Sequence, residues 1–280
     1  MNTNAKVHPY KSLPIDETTL NNGSKIPVFS SPDKYTNNYE VISMDHSKHF
    51  EETGHNPFMG EEFWIGTENI IINLVQKWTP SGERILDVGC GMGRLLSKLN
   101  GYEKYGMDIS KTYLNYASTT DVSLCLAKLE DAPYEDNFFD AIICTDVLEH
   151  VLDLNFAITQ LFRMLRKDGF LYIRVPYKEN LAQYLTDDYP YQFAHLRNFD
   201  DNSLKLLFER IFNQKIIAVE KGPFIRGGAF QKIKFEFKGL AMILRTFFRI
   251  LRLYDKDLER QMESSIYDPV EISLVIQKIE

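Results

Sequence analysis

Along the chain, short apolar runs alternate with stretches whose apolar positions recur at helical spacing. Residues 61–78 set Phe63, Ile70, Ile71, Leu74, Val75 and Trp78 near one face of a helix. RILDVG (84–89), KYGMDI (104–109), SLCLA (123–127), FDAIICT (139–145), FLYIRV (170–175), KIIAVE (215–220) and EISLVIQKI (271–279) each predict a strand. Helical stretches fall between them at RLLSKL (94–99), at 153–167 and at 201–211. In 153–167 the repeat is Leu154, Ala157, Ile158, Leu161, Phe162 and Leu165, and Asp168-Gly169 predicts the helix end. Near-continuous apolar strands separated by helices imply a mostly parallel sheet covered on both faces. The expected fold is therefore α/β, Rossmann-like and doubly wound, with a seven-stranded sheet.

The two ends of this pattern read differently. Residues 1–38, rich in Asn, Ser, Thr, Pro and Lys without apolar period, read as a loose arm, with an arm ordered on the domain as the alternative. Residues 1–60 are taken as an arm and helical cap, and 61–280 as the main domain with an insertion at about 221–270. Gly222, Pro223, Gly227 and Gly228 mark the exit into that insertion, where 239–257 reads as a helix. Lys238, Arg245, Arg249, Arg252 and Lys256 form one basic stripe on its otherwise apolar surface. Such a helix suits either peripheral contact with an anionic membrane or packing on the domain or on a second copy, so a homodimer stays open.

Chemistry concentrates at Asp87-Val88-Gly89-Cys90-Gly91-Met92-Gly93, where a strand turns into a helix. Glycines there allow a sharp turn and let a ligand approach the main chain. Asp108 ends the second strand, 19 residues after Gly89, where a carboxylate can accept both hydroxyls of a ribose. A dinucleotide fingerprint needs its third glycine one position later, where this chain has Arg94. That register, and the lack of a well-placed Tyr-x-x-x-Lys pair, weigh against an NAD(P)-dependent oxidoreductase or epimerase. A non-catalytic cofactor-binding module remains the other alternative.

The glycine run, YGMDIS (105–110), EDAPYEDNFFDAIICTDVLEHV (130–151) and LRKDGFLYIRVP (165–176) together resemble class I S-adenosylmethionine-dependent methyltransferases. The similarity covers roughly residues 60–220 and is strongest to the type 11-like, small-molecule and lipid-precursor branch. It implies S-adenosyl-L-methionine as cofactor. Asp87 and Gly89 would sit by the methionine moiety and Gly91 would let the backbone close on the cofactor. Asp108 would hold the ribose, Ile109, Leu129 and Glu130 would edge the adenine, and Thr145 would lie under the methionine side. Lys128 departs from relatives that carry an acidic residue there. Tyr39, His46, Phe50, Phe58 and Trp64 resemble a cap over the cofactor.

Methyl transfer needs the nucleophile behind the methyl group and water excluded, with a base only for a poorly acidic hydroxyl or a protonated amine. His150, after the fourth strand, and His195, after the fifth, are the candidate catalytic residues. Arg197 could hold an anionic acceptor, and Tyr177, Tyr184, Tyr189 and Tyr191 could line its pocket. Asp146 and Glu149 alone make no convincing metal set, so no metal is expected. Composition adds limits. At 280 residues and 44% hydrophobic the chain can bury a large core. A net charge of −7, and Thr145-Asp146-Val147-Leu148 in place of a Pro-Pro-aromatic tetrapeptide, argue against nucleic acid as partner. Three unspaced cysteines and a polar N-terminus predict a cytoplasmic protein, at most peripheral to the inner face of the membrane. The expected reaction is methylation of an oxygen or nitrogen on a small-molecule, sugar or lipid-linked acceptor.

Overall fold

A computed structural model describes residues 9–57, 60–118, 121–225 and 268–279, with scattered positions between 243 and 254. Five parallel strands form the centre of the sheet: β3 (Arg84–Val88), β4 (Glu103–Asp108), β5 (Val122–Leu126), β6 (Phe139–Thr145) and β7 (Leu165–Pro176). The antiparallel pair β8 (Lys215–Lys221) and β11 (Glu271–Gln277) completes the seven that the apolar runs predict, each start or end within a few residues. All seven residues of β6 are buried, as its unbroken apolar run requires of a central strand.

Two further strands extend the sheet to nine, in the order β1-β2-β5-β4-β3-β6-β7-β11-β8. They are β1 (Asp16–Thr19) and β2 (Lys25–Val28), a hairpin whose Val28 pairs with Leu126 at the sheet edge. The arm is thus ordered from residue 9, and Tyr10 bridges to Tyr134. Each strand is only four residues long; β1 (DETT) is polar and β2 (KIPV) is interrupted by Pro27, so neither gives an apolar run long enough to predict a strand.

Helices cover both faces. On one, α5 (Leu154–Met164) turns Ala157, Ile158 and Leu161 onto Leu86, Ile142 and Ile173. On the other, α2 (Glu61–Trp78) turns Ile71 and Val75 onto Ile85, Ile143 and Tyr172. Helix α5 ends at Met164, three residues before the predicted end. Leu165 fits the helical period but pairs with Phe139 in the sheet, and the Lys278 ammonium holds its carbonyl at 2.7 Å. Residues 201–211 form a short α6 (Asp201–Lys205), capped by Asp200, that continues as a π-helical turn.

The insertion opens and closes on a two-stranded ladder, β9 (Phe224–Ile225) with β10 (Asp268–Pro269). Described positions between 243 and 254 are helical and include Arg249 of the basic stripe, which is exposed; Lys238, Arg245, Arg252, Lys256 and the rest of 226–267 lie outside the described residues. No described helix is long and apolar enough to cross a membrane.

Candidate active site

At the carboxyl edge of the strands lies a cavity of about 1740 Å³. A chamber of this size exceeds the roughly 300–1,000 Å³ of an ordinary ligand pocket and can hold two molecules side by side. All ten residues singled out as cofactor-binding or catalytic line it: Asp87, Gly89, Gly91, Asp108, Ile109, Leu129, Glu130, Thr145, His150 and His195.

The glycine loop forms one end. Gly89 and Gly91 adopt φ of 69° and 52°, in the left-handed region. A Cβ on Gly89 would meet Val147 Cγ2 at 2.4 Å, whereas one on Gly91 would meet nothing within 4 Å and would only fill cavity space. The Gly91 N–H donates to Asp108 Oδ2 and the Ser110 N–H to Oδ1, both at 2.8 Å. These bonds aim the Asp108 carboxylate along the cavity wall. Burial raises its pKa to about 6, against the pull of the two amides. Asp87 is 1% exposed, Oδ1 has no hydrogen-bond partner among the described residues, and burial beside Asp108 pushes its pKa up to about 8. An orphaned buried carboxyl on a cavity wall suits a ligand that brings a cation or donors, and S-adenosylmethionine carries a sulfonium, an ammonium and a ribose. The residues present therefore fit it. When bound, that cofactor supplies an electrophilic methyl group on a positively charged sulfur.

Arg94, which breaks the dinucleotide pattern, has a structural task. Its guanidinium stacks 3.7 Å over the Trp64 ring and pairs at 2.7 Å with Glu68, which also binds Lys98 at 2.5 Å. The pairing locks α2 to the helix α3 (Arg94–Lys98) that follows the loop. Across the cavity, α1 (Lys34–Thr53) forms the cap. His46 hydrogen-bonds Tyr113 at 2.7 Å, and Phe50 and His46 pack their rings near Trp64. Phe58 lies outside the described residues. Lys128 turns its ammonium to Asp33 and Asp131, at 3.0 and 3.5 Å, and so tethers the start of α1.

The other end of the cavity holds His150 and His195, with ring centroids 4.5 Å apart. His150 comes from the turn after β6 and His195 from the loop after β7. His150 Nδ1 is hydrogen-bonded to the Tyr39 hydroxyl at 3.0 Å. His195 Nδ1 pairs with the Glu179 carboxylate and lies 3.1 Å from the Tyr184 hydroxyl. Burial, reinforced by His195, drives the His150 pKa down to about 3, so its imidazole is neutral at neutral pH. Tyr177, Tyr184, Tyr189 and Tyr191 all line this end. Arg197 does not: its guanidinium donates to the carbonyls of Leu148 and Val151, at 2.8 and 2.5 Å, and braces the turn that carries His150.

Sequence reasoning missed a charged group between the two ends. Arg174, buried in β7, forks onto Asp146, whose φ is 56°. Glu149 and Glu271 are buried close by, Glu149 with both oxygens lacking a hydrogen-bond partner among the described residues. Burial, with Asp146 nearby, raises both of these carboxyls well above the usual range. The available signal was an arginine inside the apolar run FLYIRV, since a buried arginine demands a partner.

Residues 86–173 match the family model described as a methyltransferase domain. A ubiquinone biosynthesis O-methyltransferase of Alkalilimnicola ehrlichii is 35% identical over 97 residues, 31% of this chain and 39% of that protein. A tRNA (carboxymethyluridine(34)-5-O)-methyltransferase of Arabidopsis thaliana is 35% identical over 99 residues, 34% of this chain and 24% of that protein. The chain thus spans well under half the length of these curated relatives. The structure of Haemonchus contortus phosphoethanolamine N-methyltransferase 2 in complex with S-adenosyl-L-methionine overlays with a TM-score of 0.52 at 14% identity, covering 92% of this chain and 62% of that one. Fold, site and family match define the class: a Rossmann-like S-adenosylmethionine-dependent methyltransferase domain. Residues 86–173 carry the match to that class, and the sheet around them has its Rossmann-like fold.

Proposed function

We propose that the chain transfers the methyl group of S-adenosylmethionine to an oxygen or nitrogen of a small-molecule, sugar or lipid-linked acceptor. The observation that supports this reading is the single cavity with the Asp87–Gly91–Asp108 wall at one end and the His150–His195 pair at the other. The chamber has room for both substrates, and the aromatic loop screens the reacting atoms from water. The histidine pair stands on the acceptor side, where a proton must leave as the new bond to carbon forms. Asp108 holds the cofactor's ribose, while Leu129 and Glu130 edge its adenine. Net charge −7 and a deep, tyrosine-lined chamber favour a small acceptor over nucleic acid.

Calorimetry and a turnover panel test the reading. Asp108→Ala is expected to weaken S-adenosylmethionine binding by about 1.5–3 kcal/mol, the value of hydrogen bonds to a charged group. His150→Ala and His195→Ala are expected to lower turnover by about 10²-fold and keep cofactor affinity. Phenols, sugars, hydroxylated lipids, small acids and bulk tRNA would be scored for S-adenosylhomocysteine release. Tighter binding of NAD than of S-adenosylmethionine overturns the assignment. Turnover on tRNA alone overturns the small-acceptor part of it.

A further inference from the structure

We propose that Glu149, His150 and His195 form a binding site for one divalent first-row transition cation, which activates a hydroxyl acceptor. The proposal rests on the methyltransferase reading for its chemistry and on geometry alone for the site. It departs from the expectation of no metal, which considered only Asp146 and Glu149. Folding brings His195 to Glu149 and His150 from 45 residues beyond His150 and engages Asp146 with Arg174.

One ligand atom from each of Glu149, His150 and His195 lies within 4.8 Å of the other two. His150 Nε2 is 3.9 Å from Glu149 Oε1. Small side-chain rotations close such a triangle onto a cation held about 2.1 Å from each donor. Glu149 is fully buried, and its two oxygens have no hydrogen-bond partner among the described residues. A carboxyl in that position is costly unless something meets it. Both imidazoles are held from behind at Nδ1, His195 by the Glu179 carboxylate and His150 by the Tyr39 hydroxyl. In the tautomer that donates Nδ1–H outward, Nε2 keeps its lone pair, and this outer hydrogen bond is the usual support of a metal-bound histidine; the His150 ring also hydrogen-bonds the Ala194 backbone, a contact that must yield to the cation. Two imidazoles and one carboxylate suit manganese through zinc better than magnesium or calcium. Three protein donors leave positions open for the acceptor.

The cation binds the acceptor hydroxyl and lowers its pKa, and the proton passes to water. The resulting oxyanion attacks the sulfonium methyl. A C–O bond forms as the C–S bond breaks, and its electron pair stays on sulfur to leave neutral S-adenosylhomocysteine. This narrows the acceptor class to hydroxyls, with adjacent oxygens that can share the cation as the best fit.

Chelator-stripped, tag-free protein titrated with CoCl₂ and followed by visible absorption tests the site, with MnCl₂ and electron paramagnetic resonance as a second probe. The expected result is one equivalent bound, weakened at least tenfold in His195→Ala and in Glu149→Gln, and unchanged in the exposed control His55→Ala. Glu179→Ala is expected to cost about tenfold through its hold on His195. Affinity for S-adenosylhomocysteine and thermal melts report folding. If Glu149→Gln does not fold, the half-buried His195→Ala decides. No binding by folded protein, or binding unchanged in His195→Ala, overturns the proposal. Metal binding without S-adenosylmethionine binding would overturn the methyltransferase reading and leave the site standing.

Discussion

Asp108 and His46 are buried ionisable groups that respond to pH in different ways. With its pKa raised to about 6 by burial, Asp108 is protonated in a growing fraction of cofactor-free molecules as pH falls below that value. Only the carboxylate accepts two ribose hydroxyls, so the Asp108 contribution to cofactor affinity should be flat above about pH 7 and fall toward tenfold per unit below pH 6. Calorimetry with S-adenosylhomocysteine across that range checks this, and Asp108→Asn should be weak and flat throughout. For His46, burial first, then His49 and Arg94, lower the pKa to about 4 from an unfolded value of 6.5. The unfolded chain therefore binds the extra proton between pH 6.5 and 4, and stability is lost as pH drops through that window. Urea titrations should show a loss on the order of 2 kcal/mol from this group, and His46→Gln should lack it. Neither shift could be read from sequence. Asp108 was legible as a candidate ribose ligand from its spacing to Gly89, but its burial depends on the helices folded over it.

Single elements set how far the sequence could be read. Strands buried on both faces announce themselves as apolar runs, and β3, β4, β5 and β6 lie within one residue of expectation. Helix α5 was read three residues too long, because Leu165 satisfies the helical period and the sheet equally. The hairpin β1–β2 was missed because strands of four residues, one polar and one holding a proline, have no such signature. The glycine loop was legible as a turn; its anchoring was not. Gly89→Ala should strain the loop by at least about 1–2 kcal/mol, the cost of a left-handed alanine. It would also drive a methyl into Val147. Cofactor affinity should fall more than tenfold, measured by calorimetry on folded protein. Arg94→Ala would leave the Glu68 carboxylate, 3% exposed, with Lys98 alone. Stranding a buried charge completely costs about 3–5 kcal/mol, so a loss of about 2–3 kcal/mol is expected here. Glu68→Gln in the same background should recover part of it, and the double-mutant cycle in urea measures how much.

Across the whole molecule, the site is assembled from segments that no local pattern connects. His150, His195, Glu271 and the cap helix α1 meet only because the sheet gathers its strand ends at one edge. The cap and the acceptor loop are also joined directly. Asn38 of α1 donates to the Phe193 carbonyl and accepts from its N–H, both at 3.1 Å, and Tyr191 donates to Asp45 at 3.0 Å. Two walls bonded in this way are expected to open together. On the proposed reading the nucleoside would lie against the glycine loop, behind these walls, and should enter first and leave last. Steady-state kinetics should then follow a compulsory order. S-adenosylhomocysteine would inhibit competitively against S-adenosylmethionine and noncompetitively against the acceptor. Asn38→Ala, which unhooks the walls, should shift the pattern toward random order and speed release of the demethylated product. In a cell, the enzyme's working rate would then follow the ratio of methylated to demethylated cofactor more closely than the supply of acceptor.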